Sequence, residues 1–113
     1  NARCPPDGPE LGHASWTFLH SVAAYYPDTP TPDDQASMRS FVRGLGRWYP
    51  CGYCAEHVRK VVDKDPPRVE SRKDLAKWFC DLHNEVNVRL GKPIFDCAKV
   101  DERWRDGPKD GSC

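Results

Sequence analysis

Apolar residues recur every three to four positions in four stretches of the chain, each closed by proline or glycine, and this spacing predicts four helices. In the first, over residues 10–26, Leu11, Ser15, Phe18, Leu19, Val22 and Tyr26 share one face while Trp16, His20 and Ala23 lie on its neighbour. Pro27 ends it. The second starts where Thr31 can cap, Pro32 fits the first helical position and Asp33 and Asp34 complement the dipole; it runs to about residue 48, with Gly44 and Gly46 as weak points. The third, over 51–62, carries Val58, Val61 and Val62 and stops at Asp65-Pro66-Pro67. Ser71 to Asp74 reads as a capping box with Asp in place of Glu, opening a fourth helix over 73–90 that Gly91 and Pro93 close. After Ile94-Phe95-Asp96-Cys97 a short helix runs through Arg103 or Trp104. Residues 1–9, with Pro5, Pro6 and Pro9, read as an extended arm, and 106–113 as an irregular tail. The expected fold is all-α: a four-helix bundle with a short fifth helix, in a single domain spanning 1–113.

Charge narrows the partners. Seventeen basic and seventeen acidic residues give a net charge of +0, which disfavours nucleic acid and anionic membranes. No apolar run is long enough to span a bilayer, and no signal or transit peptide is visible. Six cysteines, at 4, 51, 54, 80, 97 and 113, point to an oxidising compartment or to metal.

The chemistry concentrates at Tyr49-Pro50-Cys51-Gly52-Tyr53-Cys54, a C-x-x-C pair at a helix start. With Pro50 in the first turn, Cys51 meets free N–H groups that favour a thiolate, and Cys54 lies one turn further in. One sulfur would face partners and the other the interior. Zinc held by Cys51, Cys54, Cys80 and Cys97, or a plain structural disulfide, are alternatives to redox chemistry, which the helix start favours. The fourth helix carries two stripes: Leu75, Phe79, Leu82, Val86 and Leu90 as a core face, and Cys80, His83, Asn84 and Asn87 on a second. The imidazole and two carboxamides, beside Trp78, suit a flat heteroaromatic ligand that needs edge hydrogen bonds; equally, they could face water.

Taken together, the C-x-x-C stretch, His83-Asn84-Glu85-Val86-Asn87, Leu90-Gly91-Lys92-Pro93 and Phe95-Asp96-Cys97 resemble the Erv/ALR family of FAD-dependent sulfhydryl oxidases. The run from Lys99 to Gly107 resembles its augmenter-of-liver-regeneration branch, and the likeness extends from Cys4-Pro5-Pro6-Asp7 to Gly111-Ser112-Cys113. The resemblance implies FAD held at the bundle end beside the dithiol, in a homodimer. Cys51 would exchange with substrate and Cys54 would lie next to the flavin. Gly12, Trp16, His20, Tyr25, Cys80, His83, Asn84, Asn87, Leu90, Lys92, Arg103 and Trp104 fall on family positions for the cofactor. Cys80 and Cys97 would form a structural disulfide, and Cys4 and Cys113 an intersubunit one. The implied substrate is a protein dithiol, the import receptor of the mitochondrial intermembrane space, with oxygen or cytochrome c as acceptor. A secreted, disulfide-linked growth factor is the alternative role attached to the family. The chain departs from the pattern at His13, where Arg is usual, at Pro108, where Trp is common, and in lacking a cysteine pair between the third and fourth helices.

Overall fold

In the computed structural model, which describes residues 3–113, four α-helices and a short fifth helical segment form the chain. They are α1 (Gly8–Ala24), α2 (Pro32–Trp48), α3 (Gly52–Lys64) and α4 (Arg72–Arg89). The fifth segment begins as a 3₁₀ turn, Cys97–Lys99, and ends as a wide π-helical turn, Glu102–Asp106, two residues beyond its expected end. The all-α bundle expected from the spacing is what forms.

The first helix starts earlier than expected. Asp7 caps it, accepting from the Glu10 N–H at 2.9 Å, and Pro9 occupies the first turn, where its missing N–H costs nothing. Residues 8 and 9 are therefore helix, not arm. At the other end α1 stops at Ala24, because Pro27 disfavours helical backbone at the residue before it. Thr31 and Asp34 form a full capping box on α2: the hydroxyl accepts from the Asp34 N–H, and the carboxylate from the Thr31 N–H. Ser71 caps α4 in the same way through the Asp74 N–H.

Packing pairs α1 with α4 and α2 with α3. Leu75, Phe79 and Trp78 of α4 are buried against Leu19 and Ala23 of α1, Val42 of α2 and Val69 of the α3–α4 connection. Tyr26 joins this core and its hydroxyl donates to the Val69 carbonyl at 2.8 Å. Two expectations about faces change here. On α1 the buried side chains are Leu19, His20, Ala23 and Ala24, whereas Phe18 is exposed and meets Phe41 of α2 edge-on. On α4 the core stripe holds at Leu75, Phe79 and Leu82 but not at Leu90, which stands past the end of the helix in solvent. Trp78 belongs to the core and not to the polar stripe; its indole N–H donates to the Asp65 carbonyl at 2.9 Å.

Gly46 explains why a glycine-weakened stretch stays helical. It is buried where α2 meets α3, and a Cβ there would sit 2.9 Å from Arg59 Cγ. The same arginine donates to the Gly46 carbonyl at 2.5 Å. The loss of helix propensity is offset by closeness of approach.

Candidate functional site

The dithiol sits at the α2–α3 junction. Cys51 is the N-cap of α3, one position outside the helix, and Pro50 precedes it; neither lies in the first turn as expected. Cys51 and Cys54 form a disulfide, with Cα atoms 5.2 Å apart, and Cys51 Sγ accepts from the Cys54 N–H at 3.3 Å. On reduction, a thiolate at the cap would keep that donor and the positive end of the helix. Both cysteines are half-buried, so the expected split into an outward and an inward sulfur is not seen in their exposure. Cys80 and Cys97 form the second disulfide, Cα atoms 5.8 Å apart. With these four sulfurs bonded in pairs, the zinc arrangement has no thiolates left to use. Cys4 and Cys113 are exposed and unpaired within the chain.

Three contacts seat the dithiol helix against α1 and α4. The Ser15 and Tyr49 hydroxyls hydrogen-bond at 3.0 Å, tying the residue before Pro50 to the residue before Trp16. His57 of α3 lies 3.8 Å from Glu85 of α4, and the Arg89 guanidinium stacks 4.3 Å from the centre of the Tyr53 ring. Burial first, then Arg89, lowers the His57 pKa against the opposing pull of Glu85. Sequence reasoning missed His57 and Arg89. Each acts through a residue on another helix, which periodicity along one helix does not reveal.

Next to Ser15 begins a cluster of flat rings. Trp16 stacks on His83 at 4.1 Å with 7° between planes, and His20 stacks on Trp104 at 4.8 Å and 16°. The two pairs are joined by a 2.8 Å hydrogen bond between His20 Nε2 and His83 Nδ1. Trp16 and His20 come from α1, His83 from α4 and Trp104 from the π turn. His20 Nδ1 is buried with no hydrogen-bond partner, which is costly unless something else supplies one. The Arg103 guanidinium lies 3.9 Å from the Trp104 ring, and Lys92 is exposed beyond the end of α4.

The other expected positions divide. Cys80 and Asn87 are buried on the same side of α4, so its second stripe faces inward rather than water. Asn84 is engaged by the backbone: it donates to the Phe95 carbonyl at 2.9 Å and accepts from the Phe95 N–H at 2.8 Å, pinning the segment before Cys97. Asn87 donates to Asn84 Oδ1 at 3.2 Å. Gly12 is half-buried one turn before Trp16, while Tyr25 and Leu90 are exposed and His13 faces solvent. Chemically, the ring faces and the unspent imidazole nitrogen can take a planar heteroaromatic group, with cations at its edge.

The Erv1 / Alr family model matches residues 13–105, which contain the dithiol, the ring cluster and the second disulfide. The chain belongs to the Erv1 / Alr family. Among Erv1 / Alr relatives, it is 47% identical over 103 residues to the mitochondrial FAD-linked sulfhydryl oxidase ERV1 of Saccharomyces cerevisiae, covering 91% of this chain and 54% of that protein. It is 50% identical over 94 residues to the mitochondrial FAD-linked sulfhydryl oxidase erv1 of Schizosaccharomyces pombe, covering 81% and 52%. The chain thus spans about half the length of these relatives. The crystal structure of the yeast Erv1 core superposes with a TM-score of 0.93 at 45% identity, over 94% of this chain and 90% of that one. The crystal structure of the FAD binding domain of Erv1 from Saccharomyces cerevisiae gives 0.89 at 44% identity, over 93% and 100%.

The ring cluster carries a pH signature. Burial, then His83, then Arg103 lower the His20 pKa from its ordinary 6.5 to about 4, so the folded protein keeps this imidazole neutral. Between those values the unfolded chain binds the extra proton, and stability falls as pH drops through that window. Unfolding free energies from urea titrations between pH 7 and pH 4 should therefore decline, with a slope of up to ~1.4 kcal/mol per pH unit from this one group. His20→Phe should flatten the decline. An unchanged slope in that variant would assign it to other groups.

Proposed function

We propose that this chain is an FAD-dependent thiol oxidase that forms disulfides in protein dithiols. The observation that carries the reading is the ring cluster, linked toward the dithiol by the Ser15–Tyr49 hydrogen bond: two stacked pairs from three separate elements, around a buried imidazole nitrogen that lacks a partner. Such a site fits a flavin ring, which needs aromatic faces and edge hydrogen bonds. Trp16, His20, His83 and Trp104 would hold the ring system, with the exposed cations of Lys92 and Arg103 suited to the diphosphate. When bound, the flavin accepts the electron pair of the dithiol and passes it on, which side chains alone cannot do.

The chain's own part is thiol–disulfide exchange. A substrate thiolate attacks Cys51 Sγ, forming a mixed disulfide, and the electron pair of the broken Cys51–Cys54 bond leaves on Cys54. The second substrate thiolate then attacks the substrate sulfur and releases Cys51 as a thiolate. The substrate leaves oxidised, and both electrons remain on the Cys51–Cys54 pair. Cys54 lies within the first turn of α3, where backbone N–H groups stabilise the anion it becomes. Tyr53 and Trp48, 71% and 74% exposed, are large apolar side chains available to a docking protein. A groove of about 340 Å³ runs beside Trp48, lined also by Phe41, Leu45, Tyr49 and Pro50.

Further elements of the proposal follow from the relatives and the family resemblance. The setting is the mitochondrion, and within it the intermembrane space, where the substrate would be the dithiol import receptor. The acceptor is oxygen or cytochrome c. The active form is a homodimer, with Cys4 of one subunit bonded to Cys113 of the other, which accords with both being exposed and unpaired within the chain. No helix among the described residues is long and apolar enough to cross a membrane.

The test is the visible absorption spectrum of the purified protein, before and after anaerobic addition of a dithiol reductant. Flavin bands that bleach on reduction are expected. A colourless protein that takes up no added FAD would end the proposal.

A further inference from the structure

Arg72 lies far from the dithiol in sequence, yet its guanidinium makes three hydrogen bonds to two carboxylates on distant connections. It opens α4 and its side chain is only 6% exposed. Nε donates to Asp28 at 2.9 Å, while the two terminal nitrogens donate to the two oxygens of Asp101 at 2.8 and 3.2 Å. Asp28 belongs to the α1–α2 connection and its side chain is 81% exposed; Asp101 lies just before the π turn and is 31% exposed. Water screens the first pairing much more than the second. The hydrogen bond to Arg72 is the largest of the influences holding the Asp101 carboxyl below its usual range, with Arg105 and Lys73 adding weaker ones.

Asp101 is placed where the π turn needs an anchor. It precedes Glu102–Asp106 with a helical backbone of its own, makes no side-chain capping bond, and has both oxygens held by Arg72. The turn has no side-chain cap at its start. Three residues on, Trp104 lies against His20. The segment bearing that ring is tied to α4 at Cys97 by the disulfide and at Asp101 by Arg72, and only the second tie is adjacent to the turn.

We propose that Arg72 is a positioning residue: by holding Asp101 it fixes Trp104 over His20, and so sets how long a planar cofactor is retained at the ring cluster. The proposal rests on the flavin reading of that cluster. A bidentate guanidinium–carboxylate pair fixes orientation as well as distance, which a lysine in the same place could not do.

The experiment loads the full chain with FAD and follows release by the recovery of flavin fluorescence after dilution. Asp101→Asn keeps the side-chain volume and leaves Arg72 paired with Asp28, so the fold survives; far-ultraviolet circular dichroism verifies it. Release from this variant should be faster by on the order of ten- to a hundredfold, the scale of a lost charge-assisted hydrogen bond. Arg72→Lys should fall in between, and Asp28→Asn should stay within about twofold of the unsubstituted chain, since its pairing is exposed. In a Trp104→Ala background, Asp101→Asn should have no further effect, because the tie acts through that ring. Equal acceleration with and without Trp104 would reduce Arg72 to general stability and overturn its positioning role. So would unchanged release from a folded Asp101→Asn chain. An unsubstituted chain that takes up no flavin overturns the flavin reading itself, and this proposal with it.

Discussion

Cys54→Ser should lower the proposed thiol-oxidase turnover by roughly 1,000-fold or more, and Cys51→Ser and the double substitution should lower it to the same floor, because residues that act as a unit are not additive. A serine hydroxyl neither forms a disulfide nor leaves as a stable anion near neutral pH, so exchange stops at its first bond. Flavin content should be unaffected by either change, since none of the stacked rings is supported by the Cys51–Cys54 bond. The measurement is loss of free thiol from a small dithiol under air, with flavin absorbance read on the same samples. Activity above a tenth of the unsubstituted rate in Cys54→Ser would remove Cys54 from the mechanism. Loss of flavin together with activity would instead make the dithiol part of the cofactor site.

Trp78→Ala has the largest expected effect on stability, a loss of roughly 3–5 kcal/mol. The indole is 1% exposed, packs edge-on against Phe79 at 5.2 Å between ring centres, and closes the end of α3 by donating to Asp65. Truncation leaves a cavity in the core and a carbonyl without its donor. Against a total stability of about 5–15 kcal/mol for a domain of this size, such a change brings the protein close to unfolding at body temperature. Trp78→Phe separates the two contributions. It keeps most of the packing and should cost about 1–3 kcal/mol, from the lost bond and the smaller ring. Urea denaturation with both disulfides intact measures each; equal losses in the two variants would mean that the hydrogen bond, not the packing, carries the effect.

What the sequence made legible was whatever depends on neighbours along one helix. Prolines, caps and apolar spacing marked all four helices, and the C-x-x-C pair located the dithiol. The start of α1 was lost because Pro5, Pro6 and Pro9 outweighed Asp7, although a capping aspartate with proline in the first turn is a helix start. Cys51 was placed one residue too far into α3 for a related reason: Pro50 fits a first turn, but here the cysteine itself caps. Spacing could not say which face of α1 would be buried, since Phe18 and His20 both lie on plausible stripes; the packing of α4 decided for His20. The ring cluster was legible only through family likeness. Trp16, His83 and Trp104 are far apart in sequence, and nothing in their local patterns joins them. Arg72 was invisible for the same reason, as one of seventeen basic residues with both partners on distant connections.

Gly46 gives α2 and α3 a contact distance that is set by the absence of a single carbon atom. The helix resting on that contact is the one that carries the Cys51–Cys54 pair. Position 46 therefore works as a socket for one side chain: a methyl group there would force the Arg59 stem to shift, while the Arg59 backbone, 3.6–3.7 Å away, stays at ordinary contact distance. A substitution at 46 would thus reach the dithiol helix through the arginine that donates back to the Gly46 carbonyl, at a site that meets neither sulfur nor ring.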